Sequence, residues 1–135
     1  MLDETESQKR YMETVKTTVV SIYEEITRSP KVNPYDVRVS VITFRDYQPN
    51  DRDPNNAARV YEFTSDIKVL KYIVNNLHPF GGGDGPEAQT LALLGALKSA
   101  WKEDATKIAI LITDSPPHGI GEAGDDYPER SPEGD

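Results

Sequence analysis

Apolar residues near the start of the chain recur at steps of three and four. Met12, Val15, Val19, Ile22 and Ile26 make one stripe, which predicts an amphipathic helix over about 8–28. Ser7 stands where the N-cap of that helix would be. The segment SPKVNPY, with two prolines, ends it. Over 36–44, DVRVSVITF, the period changes to two: Val37, Val39 and Val41 alternate with Arg38 and Ser40, and the run ends apolar on both faces. That is a strand. A polar loop, DYQPNDRDPNNAA, leads to a second short strand, RVYEFT at 59–64, expected to return antiparallel beside the first.

A second helix is predicted from Thr64 or Ser65, with Ile67, Leu70, Ile73, Val74 and Leu77 inward. A third, rich in Ala and Leu, is predicted over about 86–102 and closes on Trp101. KIAILIT, 107–113, is an unbroken apolar run, the mark of a strand covered on both faces in a parallel sheet. Residues 115–135 read as an acidic loop or tail rich in Gly and Pro.

Helices alternating with strands predict an α/β fold: an open, mostly parallel, doubly wound (Rossmann-like) sheet flanked by helices. The 135 residues suffice for one domain and not two. Only Met1 and Leu2 precede Asp3, and no element is predicted beyond Asp114, so the sheet is expected to be incomplete at both ends.

In such sheets ligands sit beyond the carboxyl ends of the strands, where strand order reverses. Asp3 and Asp114 both end apolar segments there and are expected to face each other. In D-E-T-E-S, alternate side chains point the same way, which brings Asp3, Thr5 and Ser7 to one point. The glycine-rich loop GGGDGPEA adds Asp84. An all-oxygen set of carboxylates and hydroxyls suits Mg2+ or Mn2+, and a cation would relieve the repulsion among the carboxylates.

Taken in order, D-x-T-x-S, VRVSVITFRDY, GGGDGPEA and ILITDSPPHG resemble a von Willebrand factor type A (vWA) domain. The subgroup is that of eukaryotic intracellular proteins, including slime-mould alpha-kinases. The resemblance implies a metal-ion-dependent adhesion site. Asp3, Thr5 and Ser7 match its first loop, Asp84 stands where many members have threonine in the second, and Asp114 matches the aspartate of the third. It further implies a protein partner whose carboxylate completes the coordination. Glu6 and Gln8 depart from the family's usual glycine and methionine.

Local alternatives stand beside these assignments. Asp84-Gly85-Pro86-Glu87 also reads as a helix start, with Asp84 as N-cap and Glu87 at N3. Asp46 reads as a loop-starting residue paired with Arg45 or nearby backbone, and His118 as part of the loop structure. Asp51, Asp53, Asn55 and Glu62 fit calcium-loop spacing, but Asn56 replaces the required glycine and Pro54 is unfavourable. Residues 81–86 fail the dinucleotide fingerprint at Pro86, and no G-K-[ST] makes a phosphate loop.

The absence of cysteine excludes a disulfide framework and thiol chemistry. The net charge of −8, with seven acidic residues and one arginine from Asp114 onward, argues against nucleic acid and suits a cation or a basic surface. With no signal peptide, no membrane-length apolar run and no cysteine, the expectation is a cytoplasmic protein without membrane contact. The functional expectation is a non-catalytic, metal-dependent protein-binding module. The alternatives are a remnant without a working metal site, and a Mg2+-dependent aspartyl-phosphate enzyme or receiver using Asp114.

Overall fold

The computed structural model describes residues 1–46, 57–83, 85–119 and 124. Its elements are β1 (Leu2–Asp3), a 3-10 turn (Glu6–Arg10), α1 (Met12–Arg28), a second 3-10 turn (Pro34–Asp36), β2 (Val39–Phe44), β3 (Ala58–Thr64), α2 (Ile67–Asn75) and α3 (Gln89–Lys98). The architecture is mixed α/β. The sheet runs β1-β2-β3, with β1 parallel to β2 and β3 antiparallel to it. Leu2 pairs with Thr43 and Asp3 with Phe44. On its other side Leu2 makes an isolated parallel bridge to Ile112. Among the described residues no helix is long and apolar enough to cross a membrane.

Alternation along β2 gives the sheet two apolar faces. Val39 and Val41, with Leu2, pack against α1 and α2 through Met12, Val15, Tyr23, Leu70 and Val74. Ile42 and Phe44 point the other way, onto Ala92 and Ala96 of α3. The alanines let α3 lie close to the sheet. At Gly95 a Cβ would come within 3.0 Å of Val60 Cγ2, tighter than nearly all real contacts, so glycine suits this crossing. With α1 and α2 on one face and α3 on the other, β1 lies where the chain switches sides. That is where an open sheet forms its ligand crevice.

Several local expectations change. The first helix begins as a 3-10 turn capped by Thr5, and Ser7 is not its cap. Tyr23 is buried where Ile26, near the helix end, is exposed, and its hydroxyl donates to Ser65 O at 2.7 Å. Asp66, not Thr64 or Ser65, caps α2 by accepting from Lys68 N. The third helix starts at Gln89 with Ala88 as N-cap, so Glu87 precedes the helix instead of occupying N3. The 107–113 run is not a strand buried on both faces: only Ile112 pairs, and Ile108 is 68% exposed. It lies beside β1, whose two residues give it little to pair with. An apolar cavity of about 290 Å3 opens there, lined by Met1, Val39, Val41, Ile108 and Ile110 among others.

Phe44 is 1% exposed and sits between the sheet and α3. Phe44→Ala is expected to cost about 3–5 kcal/mol in urea unfolding. Leu97→Ser, at a 76% exposed position of α3, is expected to stay within about 0.5 kcal/mol of the unaltered chain.

Candidate functional site

The D-E-T-E-S turn leaves β1 between two neighbours. Asp3 N donates to Ile112 O on one side and Glu4 N to Phe44 O on the other. Held from both sides, Asp3 is only 3% exposed. A carboxylate at such depth needs donors, and the turn supplies them. Oδ1 accepts from Thr5 N at 2.9 Å and from Thr5 Oγ1 at 2.5 Å, and Oδ2 accepts from Thr113 Oγ1 at 2.8 Å. The chain of oxygens then runs outward. Thr5 Oγ1 lies 3.1 Å from Ser7 Oγ, which donates to Asp114 Oδ1 at 3.0 Å. Thr5 is buried, while Ser7 and Asp114 are exposed. The string thus begins in the core and ends at the surface.

Four of the five residues expected at the site, Asp3, Thr5, Ser7 and Asp114, are therefore drawn together from opposite ends of the chain. Asp84 lies outside the described residues, as do Asp51, Asp53 and Asn55 of the calcium-like pattern. Glu62 of that pattern lies in β3, away from the oxygen string.

The glycine loop is laid against the same turn. Phe80 N donates to Glu4 O and Glu6 N to Gly81 O. Gly81 and Gly82 have φ of 76° and 107°, in the region that favours glycine. Glu4 is buried but paired: Arg45 Nη2 reaches its Oε2 at 2.7 Å, and His78 N donates to its Oε1. The Arg45 guanidinium also stacks 3.9 Å from the Phe80 ring centre. The charge of Glu4 thus serves to fasten two loops together.

Three side chains carry more of the site than their sequence context indicated. Asp46 is buried: Oδ2 accepts from the backbone N–H of Gly83 at 2.5 Å, and Oδ1 lies 3.1 Å from His118 Nε2. It therefore joins the glycine loop to the loop after Asp114. Glu87 is 3% exposed. Its backbone pairs with the same loop, through Glu87 N to Pro116 O and His118 N to Glu87 O. Its side chain is hydrogen-bonded with Thr5, and its Oε2 has no partner among the described residues. Gln89 Nε2 donates to Ser115 O from the first turn of α3. The threonine ending the 107–113 run was a visible signal for the Thr113 contact. Glu87 had none, because its role depends on loops distant in sequence.

Burial, with Asp3 and then Asp46 alongside, pushes the Glu87 carboxyl up to about 9. The donor set tests well against a hard cation. Its convergent groups are hydroxyl and carboxylate oxygens, and the outer end is open to solvent. Mixed oxygen sites of this kind suit Mg2+ or Mn2+. Among the described residues no three acidic, histidine or cysteine side chains form a metal cage of their own. Any ion would therefore rely on the Thr5 and Ser7 hydroxyls as well as on Asp114.

The chain is 26% identical over 137 residues to a Dictyostelium discoideum protein described as Alpha-protein kinase vwkA, covering 99% of this chain and 21% of that protein. It therefore spans about a fifth of the length of the curated relative it matches. No family model matches the chain, and no solved structure matches it significantly.

A carboxyl that keeps its proton in the folded state up to about pH 9, and loses it near its ordinary value when unfolded, makes stability fall as pH rises between those limits. In chelator, urea unfolding from pH 5 to pH 9 is expected to show this decline. Glu87→Gln is expected to flatten it.

Proposed function

We propose that the chain is a divalent-metal-dependent protein-binding module of the vWA type, with a site like a metal-ion-dependent adhesion site built from Asp3, Thr5, Ser7 and Asp114, and Asp84 as its fifth member. The observation that carries this reading is the oxygen string from Thr5 through Ser7 to Asp114, open at its Asp114 end. The distant relative whose name, vwkA, hints at a vWA-like domain supports it.

A Mg2+ or Mn2+ ion would be held by the Thr5 and Ser7 hydroxyls and the Asp114 carboxylate. When bound, it would supply a positive Lewis-acid centre that attracts an anionic group from a partner. Asp3, buried and fully engaged by Thr5 and Thr113, orients the hydroxyls and contributes charge from behind. Exposed Asp114 and Ser7 mark the side from which a partner's carboxylate would approach. The role assigned is capture of a protein, with no bond made or broken, inside the cell.

The test is thermal unfolding in EDTA, then in Mg2+, Mn2+ and Ca2+, beside Asp114→Ala. An ion at a hundredfold its Kd stabilises by about 2.7 kcal/mol, which is several degrees for a domain of this size. The expected result is a cooperative melt raised by Mg2+ or Mn2+ and not raised in Asp114→Ala. A melt indifferent to all three ions would leave a folded or partly folded remnant without a working site.

A further inference from the structure

We propose that the gap in the sheet between β2 and the 107–111 stretch is a docking slot for the C-terminal end of a partner polypeptide. The segment enters as a strand parallel to β2, with apolar side chains at alternate positions, and stops at Met1. The slot lies at the amino end of β1, away from the oxygen string, and does not depend on metal binding.

The backbone sets the direction. β1 pairs with Thr43 and Phe44 of β2 on one side and bridges to Ile112 on the other. Met1 continues its line: Met1 O accepts from Ile112 N, and the Met1 ammonium donates to Ile110 O at 2.6 Å. Behind Met1 the two walls run on. Among the described residues, β2 from Val39 to Val41 is paired on its β3 side only, and Ile108 makes no backbone–backbone hydrogen bond. Two parallel edges, spaced by β1 to hold one strand between them, are a template for another strand in the same line. Extending the register of Leu2 puts the position before Met1 between Val41 and Ile110, and the position two further back between Val39 and Ile108. The slot therefore has room for about three residues, or about 10 Å of parallel strand.

The same space opens on both faces of the sheet. On the α1 side is the cavity of about 290 Å3, where Val19, Tyr23 and Ile26 face the gap. On the α3 side is a second cavity of about 110 Å3, bounded by Phe63, Ala96 and Trp101. Met1, Val39, Ser40, Ile108 and Ile110 line both, so the two cavities are halves of one slot through the sheet. Leu2 packs on the α1 side and Met1 on the α3 side. Strand alternation then sends the last residue of an entering segment towards α1, the one before it towards α3, and the third towards α1 again. The fitting pattern is a large apolar residue, a small one, and a large apolar residue at the end.

The closed end selects a chain terminus. Met1 and Leu2 occupy the line ahead, so an internal segment would have to turn out through a helix layer. The Met1 ammonium stands at that end. Burial pushes its pKa down to about 6, as expected of a cation without an anion beside it. A terminal carboxylate arriving there supplies the anion, while the two edges supply main-chain hydrogen bonds.

The test is titration of the 135-residue chain with the peptide acetyl-Gly-Ser-Val-Ala-Val bearing a free carboxylate, up to about 1 mM. The readout is emission of Trp101, the chain's single tryptophan and part of the slot wall. A saturable blue shift is expected. Binding should weaken at least tenfold when both valines are replaced by aspartate, and when three glycines follow the last valine. No saturable shift overturns the proposal, as does equal binding of either control peptide.

Ile110→Asp, at a position 48% exposed, puts a charge in the slot. Its expected effect is at least tenfold weaker peptide binding with an unchanged melting temperature, and undiminished binding overturns the assignment. Where that variant lowers the melt, Ile108→Asp, at a 68% exposed position, decides by the same criterion. Sedimentation of the chain alone covers the other occupant. A dimer that Ile110→Asp converts to monomer overturns the partner terminus in favour of a second copy, and a monomer supports it.

Discussion

The buried carboxylate of Asp3 is the constraint on which the rest of the site depends. Asp3 sits at the end of a strand two residues long, gripped between β2 and Ile112. Its oxygens must be satisfied from within the protein, because at that depth water cannot do it. The donors are Thr5, two residues on, and Thr113, far along the chain. Meeting that need fixes the turn after β1, and the turn sets Thr5 and Ser7 in line with Asp114. The outer part of the site is thus a consequence of how the inner part avoids an unpaired charge.

Around this core, loops are fastened by carboxylates in complementary ways. Glu4 is neutralised by Arg45 and anchors the stretch from His78 to Phe80. Asp46 bridges Gly83 and His118. Glu87 is the exception, with one oxygen committed to nothing described and its carboxyl biased towards the protonated form. Among the described residues the other buried acids, Asp3, Glu4 and Asp46, each find donors, so Glu87 carries the one unpaired buried carboxylate oxygen.

Much of this was legible in the chain, and the limits have physical causes. The periodicity of Leu70, Ile73, Val74 and Leu77 reports α2 because burial of a helix face is a local, repeating demand. The meeting of Asp3, Thr5, Ser7 and Asp114 follows from strand ends and alternation. The start of α3 was misplaced because Asp84-Gly85-Pro86-Glu87 has the local grammar of a cap, while the backbone of Glu87 is claimed by Pro116 and His118 across the fold. The pairing of Asp46 with His118, 72 residues apart, leaves no local trace. KIAILIT has the composition of a buried strand, but composition does not reveal how little of β1 lies beside it.

The sequence separations within the site have a kinetic consequence. The Ser7–Asp114 and Thr113–Asp3 contacts close loops of 107 and 110 residues. Contacts so distant in the chain are entropically costly to close and are slow to form. During synthesis, with the N-terminal part emerging first, the turn at Asp3 has no Thr113 to meet until nearly all of this stretch has been made. The oxygen string can therefore exist only in a chain whose sheet and both flanking layers are already assembled. Any ligand that recognises it reads completion of the fold as well as chemistry, and passes over every partly folded form.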